Sequence, residues 1–419
     1  MFVKTTTAPR NNMAFVEQIG KNSWRVRYTK DDGTIGSIPG FTSKTTAQDK
    51  ADEIDADRRR GTFLDPSAGK LLLGEFTTPW FDSIDVARST EAQYDSLIRN
   101  HIIPRWGTTC LDSITGIGVR SWKKKLRTQG YAESTIKTIV KILSMMLADA
   151  ADEQLIAANP IKPQRRGKRQ HAKRKEALWA TPEQVLRIAL QAAGLVGIRA
   201  AILIITAAWT GARWGELTGL QRINTHLDDG RIVIDPDIGA LHEVGSSLYL
   251  GPPKTAESIR TITLPSFLIR LLQWLLDSHD HPHVFVTTDG QLLRRSNFAR
   301  RAMRPAADGN LNRKRPPIWV HPVVPGLTFH QLRHSHKTWL IADAIPEVAQ
   351  ALRLGHIIQD EVKRIYSHIA PEVEVRLLNA LETRWANAVA TMLDTANTPD
   401  TTHRPNMLEL LPSLTLTAA

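Results

Sequence analysis

Apolar and polar residues alternate along Trp24-Arg25-Val26-Arg27-Tyr28, the two-residue period of a strand with one buried face. Asp32-Gly33 supplies a hairpin turn signal after it. A helix is predicted from Thr45 or Thr46 to Arg60, closed by Gly61 where a C-cap glycine belongs. From about residue 70 to 163 the period lengthens. Ile136, Val140, Leu143 and Leu147 recur at helical spacing behind Ser134 and Thr135, and Pro104 and Pro160 bound the segment. A third region opens with Thr181-Pro182-Glu183-Gln184, a helix start with a cap, a proline in the first turn and a glutamine at the third helical position. Ala200 to Thr210 is the most apolar stretch and reads as a buried helix. Short strands are predicted at Arg231–Ile234, Leu248–Leu250 and Arg260–Leu264, with helix resuming near Pro265.

Three composition breaks divide these patterns. One follows Arg58-Arg59-Arg60-Gly61 and runs through Pro66-Ser67-Ala68-Gly69, the second spans Pro160 to Arg169, and the third follows about Thr383. The resulting domains are 1–66, 70–163, a basic linker at 164–173, 174–385, and a tail at 386–419. The chain's 419 residues fit two to four domains, and no internal repeat is visible. The expected fold class is mainly α with small β-sheets: a small three-stranded sheet plus helix, a helical domain, and a larger mixed α/β domain.

Charge changes the picture. The net charge is +12, which calls for a polyanionic partner, either nucleic acid or a membrane surface. Ala200–Thr210 is about half of the roughly 20 residues that span a bilayer, so the membrane is the poorer choice. Met1-Phe2-Val3-Lys4-Thr5 lacks the apolar run of a signal peptide, and the single cysteine, Cys110, excludes an intrachain disulfide. The expectation is a cytoplasmic protein associated with nucleic acid. Seven basic residues crowd Gln164 to Glu176: Arg165, Arg166, Lys168, Arg169, Lys173, Arg174 and Lys175. They read either as phosphate contacts or as a solvated linker.

Four polar clusters lie in the third region. In Thr210-Gly211-Ala212-Arg213-Trp214-Gly215-Glu216-Leu217, Arg213 and Glu216 share a helical face, as an ordinary surface ion pair also would. Lys254 sits in Pro253-Lys254-Thr255-Ala256, between two predicted strands, where a lysine is usually solvated. In Phe329-His330-Gln331-Leu332-Arg333-His334-Ser335-His336, His330 and Arg333 share a face and both can donate to a phosphate oxygen. Three histidines there raise a metal reading, but no cysteine or carboxylate stands at zinc-ligand spacing, so packing and capping account better for His334 and His336. The fourth cluster is Leu354-Gly355-His356 followed by Tyr366-Ser367-His368. Tyr366 matters only if phosphate-binding groups converge on it.

In order and spacing, these clusters resemble the tyrosine recombinase (phage integrase) family, closely over about 174–385. The motifs are Thr-Gly-x-Arg-x-Gly-Glu-Leu, a lysine in a β-hairpin turn, His-x-x-Arg, Leu-Gly-His and a following tyrosine. They fall on Arg213, Lys254, His330, Arg333, His356 and Tyr366. Segment 70–163 is similar to the family's helical core-binding domain, and 12–61 to the arm-binding domain of integrases that recognise two kinds of DNA site. That extra domain favours an integrase of a mobile element. Two departures stand out. Gln331 replaces a frequent aspartate, and Asp360-Glu361 replace a threonine pair, which puts in question helix capping and loop docking.

The resemblance implies a site-specific DNA recombinase acting in a bacterial host cell, integrating or excising DNA through a 3′-phosphotyrosine on Tyr366. It implies that Arg213, Arg333 and His356 stabilise the phosphate, that His330 takes the tyrosine proton or donates to the phosphate, and that Lys254 protonates the leaving 5′ oxygen. No metal or other cofactor is implied. The partners would be double-stranded attachment sites, a homotetramer on DNA, and an accessory DNA-bending protein or excision factor. The basic linker would contact DNA, Arg25 and Arg27 would read the arm site, and the tail would dock on a neighbouring protomer. The rivals are a type IB topoisomerase and a non-catalytic DNA-binding regulator.

Overall fold

The alternation at Trp24–Tyr28 does form a strand. The computed structural model describes residues 13–30, 33–162, 176–357 and 369–396, with side chains of the last helix described to Asp394. The chain divides into two compact units, 1–170 and 171–419, whose boundary falls in the basic segment.

In the first unit, β1 (Phe15–Gly20), β2 (Ser23–Thr29) and β3 (Ile35–Phe41) form an antiparallel sheet in that order. Val26 and Tyr28 are buried against Ala47, Ala51 and Ile54 of α1 (Lys44–Arg60). The helix begins one or two residues before its predicted start, because Ser43 caps it: Ser43 Oγ accepts the Thr46 amide at 3.2 Å. Gly61 ends it in the left-handed conformation, as predicted. Arg25 and Arg27 lie on the alternate positions of β2, where Arg25 Nε donates to Glu17 of β1 at 2.8 Å and Arg27 Nε stands 3.6 Å from the same oxygen. Asp32 lies outside the described residues.

A separate helical core follows, built from α2 (Leu73–Ser83), α3 (Arg88–Leu97), α4 (Ile103–Trp106), α5 (Gly116–Thr128) and α6 (Glu133–Asp152). A π turn at Ile98–Ile102 joins α3 to α4 just ahead of Pro104, which has no amide to continue the helical ladder. Ile136, Val140, Leu143 and Leu147 are all buried, so the helical period was read on the correct face.

The second unit is built around α7 (Pro182–Val196) and α8 (Ile198–Thr210). Thr181 and Gln184 cap α7 reciprocally, as the sequence predicted. Every residue from Ala200 to Thr210 is buried. Trp209 lies at the centre of an aromatic cluster with Phe267, Trp339 and Trp385, at ring separations of 5.7, 4.9 and 5.6 Å. Truncating such a tryptophan to alanine costs about 3–5 kcal/mol. Among the described residues no helix is long and apolar enough to cross a membrane.

After α9 (Trp214–Thr218) come β4 (Thr225–His226), β5 (Arg231–Ile234), β6 (Ala240–Val244), β7 (Ser247–Gly251) and β8 (Arg260–Thr263). Here the expectation needs correction. The predicted strand at Leu248–Leu250 does not pair with the one at Arg260. It turns back through Gly245 onto β6, while β8 pairs with β5 in a second sheet ordered β4-β5-β8. Lys254 is therefore on the connection between two sheets, not in a hairpin turn.

The remaining helices are α10 (Ser266–Asp277), α11 (Arg295–Phe298), α12 (Arg304–Asp308), α13 (Phe329–Ala342), α14 (Glu347–Leu354) and α15 (Pro371–Ala396). The tail begins later than expected. Helix α15 carries Ala388 and Met392 into the core of its own unit, so residues 386–396 are part of that body. Trp385 stacks on Phe267 at 4.2 Å, and Arg384 pairs with Asp343 at 2.7 Å.

Candidate active site

Arg213 caps the short helix α9 and has no surface character as an ion pair. Its Nη1 donates to Glu216 Oε1 at 2.6 Å and to Ser258 Oγ at 2.8 Å. Glu216 is 2% exposed, and its other oxygen accepts Arg260 Nη2 at 2.9 Å. Burial pushes the Glu216 carboxyl up, but Arg260 and Arg213 outweigh it and hold it below its ordinary value. The surface ion-pair alternative is thus excluded by the burial.

Helix α14 ends at Leu354, and its last carbonyls have no amide of the helix to accept. Arginines take them instead, three in succession. Arg353 O accepts Arg260 Nε at 2.7 Å, Leu354 O accepts Arg333 Nη2, and Gly355 O accepts Arg213 Nη2 at 3.2 Å. A helix C-terminus is the negative end of the peptide dipoles, so it is well suited to gather cations. Arg333 also donates from Nη1 to Gly211 O at 2.8 Å, reaching the end of α8.

Two glycines allow this convergence. Gly211 has φ +68° and Gly355 φ +62°. A Cβ on Gly355 would lie 2.7 Å from the Glu257 carbonyl oxygen, and one on Gly211 2.6 Å from a Leu354 methyl. Side chains would hold the two helix ends apart.

The cations are poorly compensated. Glu216 is the one carboxylate among the described residues bonded to Arg213, Arg260 or Arg333. Arg333 is buried, and burial together with Arg213 and Arg260 pushes it down to about 9. An anion placed beside it would relieve that penalty. Donors remain for one. Of the five N–H groups of a guanidinium, Arg213 uses three and Arg333 two in the bonds above.

His356 follows Gly355 directly. Burial, with Arg333, Lys337, Arg213 and Arg260, lowers it to about 4, so its ring is neutral at pH 7. His330, one turn before Arg333 on α13, is lowered by desolvation and by His334, Arg333, Arg213 and Arg295. Its ring meets His334 edge-on at 5.3 Å. His336 faces the core instead, buried and bonded to Ala208 O at 2.9 Å, so the three histidines do not point to one centre. Gln331, the departure in this motif, caps α13: its Oε1 accepts the Thr328 amide at 2.6 Å.

Arg213, Arg333 and His356 are thus brought together, with His330 on the same helix as Arg333. Lys254 is exposed, on the connection that also carries Ser258. Tyr366, Asp360, Glu361 and the basic residues Arg165 to Lys175 lie outside the described residues. Sequence reasoning missed Arg260, Ser258 and Arg353. An arginine in a strand or at a helix end is taken as solvent-facing unless its partner is known. The one available signal was Glu216, whose second oxygen needed a second cation.

The phage integrase family model matches residues 179–372. A putative prophage phiRv2 integrase of Mycobacterium tuberculosis is 27% identical over 391 residues, covering 87% of this chain and 94% of the relative. The integrase of Mycobacterium phage L5 is 26% identical over 306 residues, covering 70% of this chain and 78% of the relative. Among solved structures, the Tn1549 transposon integrase in complex with a circular intermediate DNA superposes with a TM-score of 0.58 at 17% identity, covering 74% of this chain and 99% of that one. A lambda integrase tetramer bound to a Holliday junction gives 0.50 at 18% identity, covering 82% and 98%. At such identities the structural likeness is one of fold. The family match spans the convergent arginines and both histidines, so residues 179–372 are similar to the phage integrase family, and over most of its length the chain is similar to phage and prophage integrases.

Proposed function

We propose that this chain is the integrase of a mobile element, a site-specific recombinase that cuts and rejoins DNA through Tyr366. The observation that carries the reading is the row of carbonyls at the end of α14, which aims Arg333 and Arg213 together with donors to spare. A phosphodiester repels nucleophiles by its charge, and preorganised donors aimed at the developing charge usually supply the largest catalytic contribution.

In this mechanism the scissile phosphate binds between Arg213, Arg333 and His356. His330, neutral at pH 7 because its ring is held below its ordinary value, takes the Tyr366 proton or donates to the phosphate. The phenolate oxygen attacks phosphorus and the bond to the 5′ oxygen breaks. Lys254 protonates that oxygen. The products are a 3′-phosphotyrosine and a free 5′-hydroxyl, and the reverse steps rejoin DNA without ATP. The arginines supply the charge neutralisation that metal ions provide in other phosphoryl-transfer sites.

The solved relatives bound to DNA, as a dimer at a core site and a tetramer at a Holliday junction, support double-stranded attachment sites as substrate and a tetramer as the working assembly. The helical core of α2–α6 would clamp the core site, the N-terminal sheet would read arm sites with Arg25 and Arg27, and the basic linker, which follows the helical core and precedes the catalytic segment, would contact the DNA backbone. An accessory bending protein or excision factor would set direction.

The test is a nicked suicide duplex built on a short direct repeat sought in the DNA that flanks the coding region. Wild type should form a covalent adduct, and Tyr366→Phe should bind without forming one. No adduct with wild type would leave a DNA-binding regulator. Relaxed circles without joined recombinants would leave a topoisomerase.

A further inference from the structure

Arg353 stands just before Leu354-Gly355-His356 and takes no part in the chemistry above. Its side chain is 4% exposed, yet every nitrogen is occupied. Nε donates to His336 Nε2 at 3.0 Å, Nη1 to Thr263 O at 3.1 Å and Thr263 Oγ1 at 3.2 Å, and Nη2 to Trp209 O at 3.1 Å. The facing carboxylate is Glu374, 4.0 Å from Nη1, which also accepts the Thr263 hydroxyl. A guanidinium has donors only, so His336 Nε2 must accept. The His336 proton is then on Nδ1, donating to Ala208 O at 2.9 Å.

One side chain therefore joins the last turn of α8, helix α13, strand β8 and the first turn of α15. Each of these leads to a site residue: α8 to Arg213, α13 to Arg333, β8 to Arg260, and α15 back to the Tyr366 segment. From the same residue onward, three backbone carbonyls receive Arg260, Arg333 and Arg213. A small rotation of the end of α14 would misdirect all three guanidinium groups.

We infer that Arg353 is a positioning residue, clamped by His336, that fixes the end of α14 so that its carbonyls present Arg213 and Arg333 to a phosphate. This rests on the reading of the site given above. Lysine cannot replace it, because a single ammonium cannot reach His336, Thr263 and Trp209 in their separate directions.

The test compares wild type, Arg353→Lys and His336→Gln on the same nicked duplex, at a temperature where circular dichroism shows each folded. A second duplex carries a neutral methylphosphonate at the scissile position. Binding should stay within about threefold, while Arg353→Lys slows single-turnover cleavage by about 10²-fold, the usual effect of a misplaced catalytic group. His336→Gln, which retains an acceptor for Arg353, should lose less. The methylphosphonate carries no charge in its ground state and does not repel the nucleophile, so less rests on the arginines and the defect should shrink to within about threefold. Cleavage of ordinary DNA at the wild-type rate by both variants would overturn the inference. So would an equal loss on both duplexes, which marks a general disturbance of the fold. If Arg353→Lys does not fold, His336→Gln decides by the same comparison. Wild type that forms no adduct at all would instead overturn the proposed function, and this inference with it.

Discussion

Arg213 and Glu216 are joined twice. The arginine side chain donates to Oε1 at 2.6 Å, and its backbone amide donates to Oε2 at 2.9 Å. The second bond closes the first turn of α9, and the first aims the guanidinium, so one buried carboxylate sets both the backbone and the side chain of a proposed catalytic residue.

Glu216→Gln should therefore be expensive. It leaves Arg213 and Arg260 without their shared anion, and removing one partner of a buried pair costs roughly 3–5 kcal/mol. Urea unfolding measures this, and a loss below about 1 kcal/mol would show that water replaces the carboxylate.

Gly355→Ala should cost more than Gly61→Ala. Both glycines have positive φ, +62° and +68°, but only at Gly355 does a Cβ collide with backbone, 2.7 Å from Glu257 O. Backbone strain of this kind is worth about 1–3 kcal/mol. Equal losses in urea would mean that the connection carrying Glu257 yields freely.

Stability should fall in acid. His356 is lowered from 6.5 to about 4, and Glu216 also lies below its ordinary value. The unfolded chain binds more protons than the folded one across this window, so stability rises with pH. The His356 contribution is fully present above pH 6.5 and is lost as pH falls through about 4. Calorimetry without DNA should show Tm dropping from pH 7 to pH 4, with a smaller drop in His356→Leu.

Lys254→Met should slow cleavage by about 10²–10⁴-fold, the range for loss of a general acid. A substrate with sulfur in place of the 5′ bridging oxygen needs no proton on departure and should restore the rate. Persistent loss on that substrate would assign the proton to another group.

Neutralising Arg165, Arg166, Lys168 and Arg169 together should weaken binding and flatten its salt dependence, by about 0.9 in log–log slope for each phosphate that the variant no longer neutralises. An unchanged slope would make this segment a solvated tether.

Much of this protein was legible along the chain because it is local. The alternation at Trp24–Tyr28, the cap at Thr181 and Gln184, the burial of Ala200–Thr210 and the glycine at Gly61 each depend on neighbours within a turn or two. The motif spacing also singled out Arg213, Arg333 and His356, which the structure brings near one another. What failed was non-local. Whether Leu248–Leu250 pairs with β6 or β8 depends on which edge a turn presents, and the end of the folded body at α15 depends on a core that accepts Ala388 and Met392.

The sequence by itself determined the elements and singled out the side chains proposed to react, since capping, periodicity and residue chemistry travel with the chain. Tertiary structure alone decided that Arg260 and Arg353 are interior residues and that three successive carbonyls of α14 hold three arginines. An arginine's place is set by where its acceptors lie. Here they lie up to 144 positions away, brought within reach by glycines that let two helix ends meet.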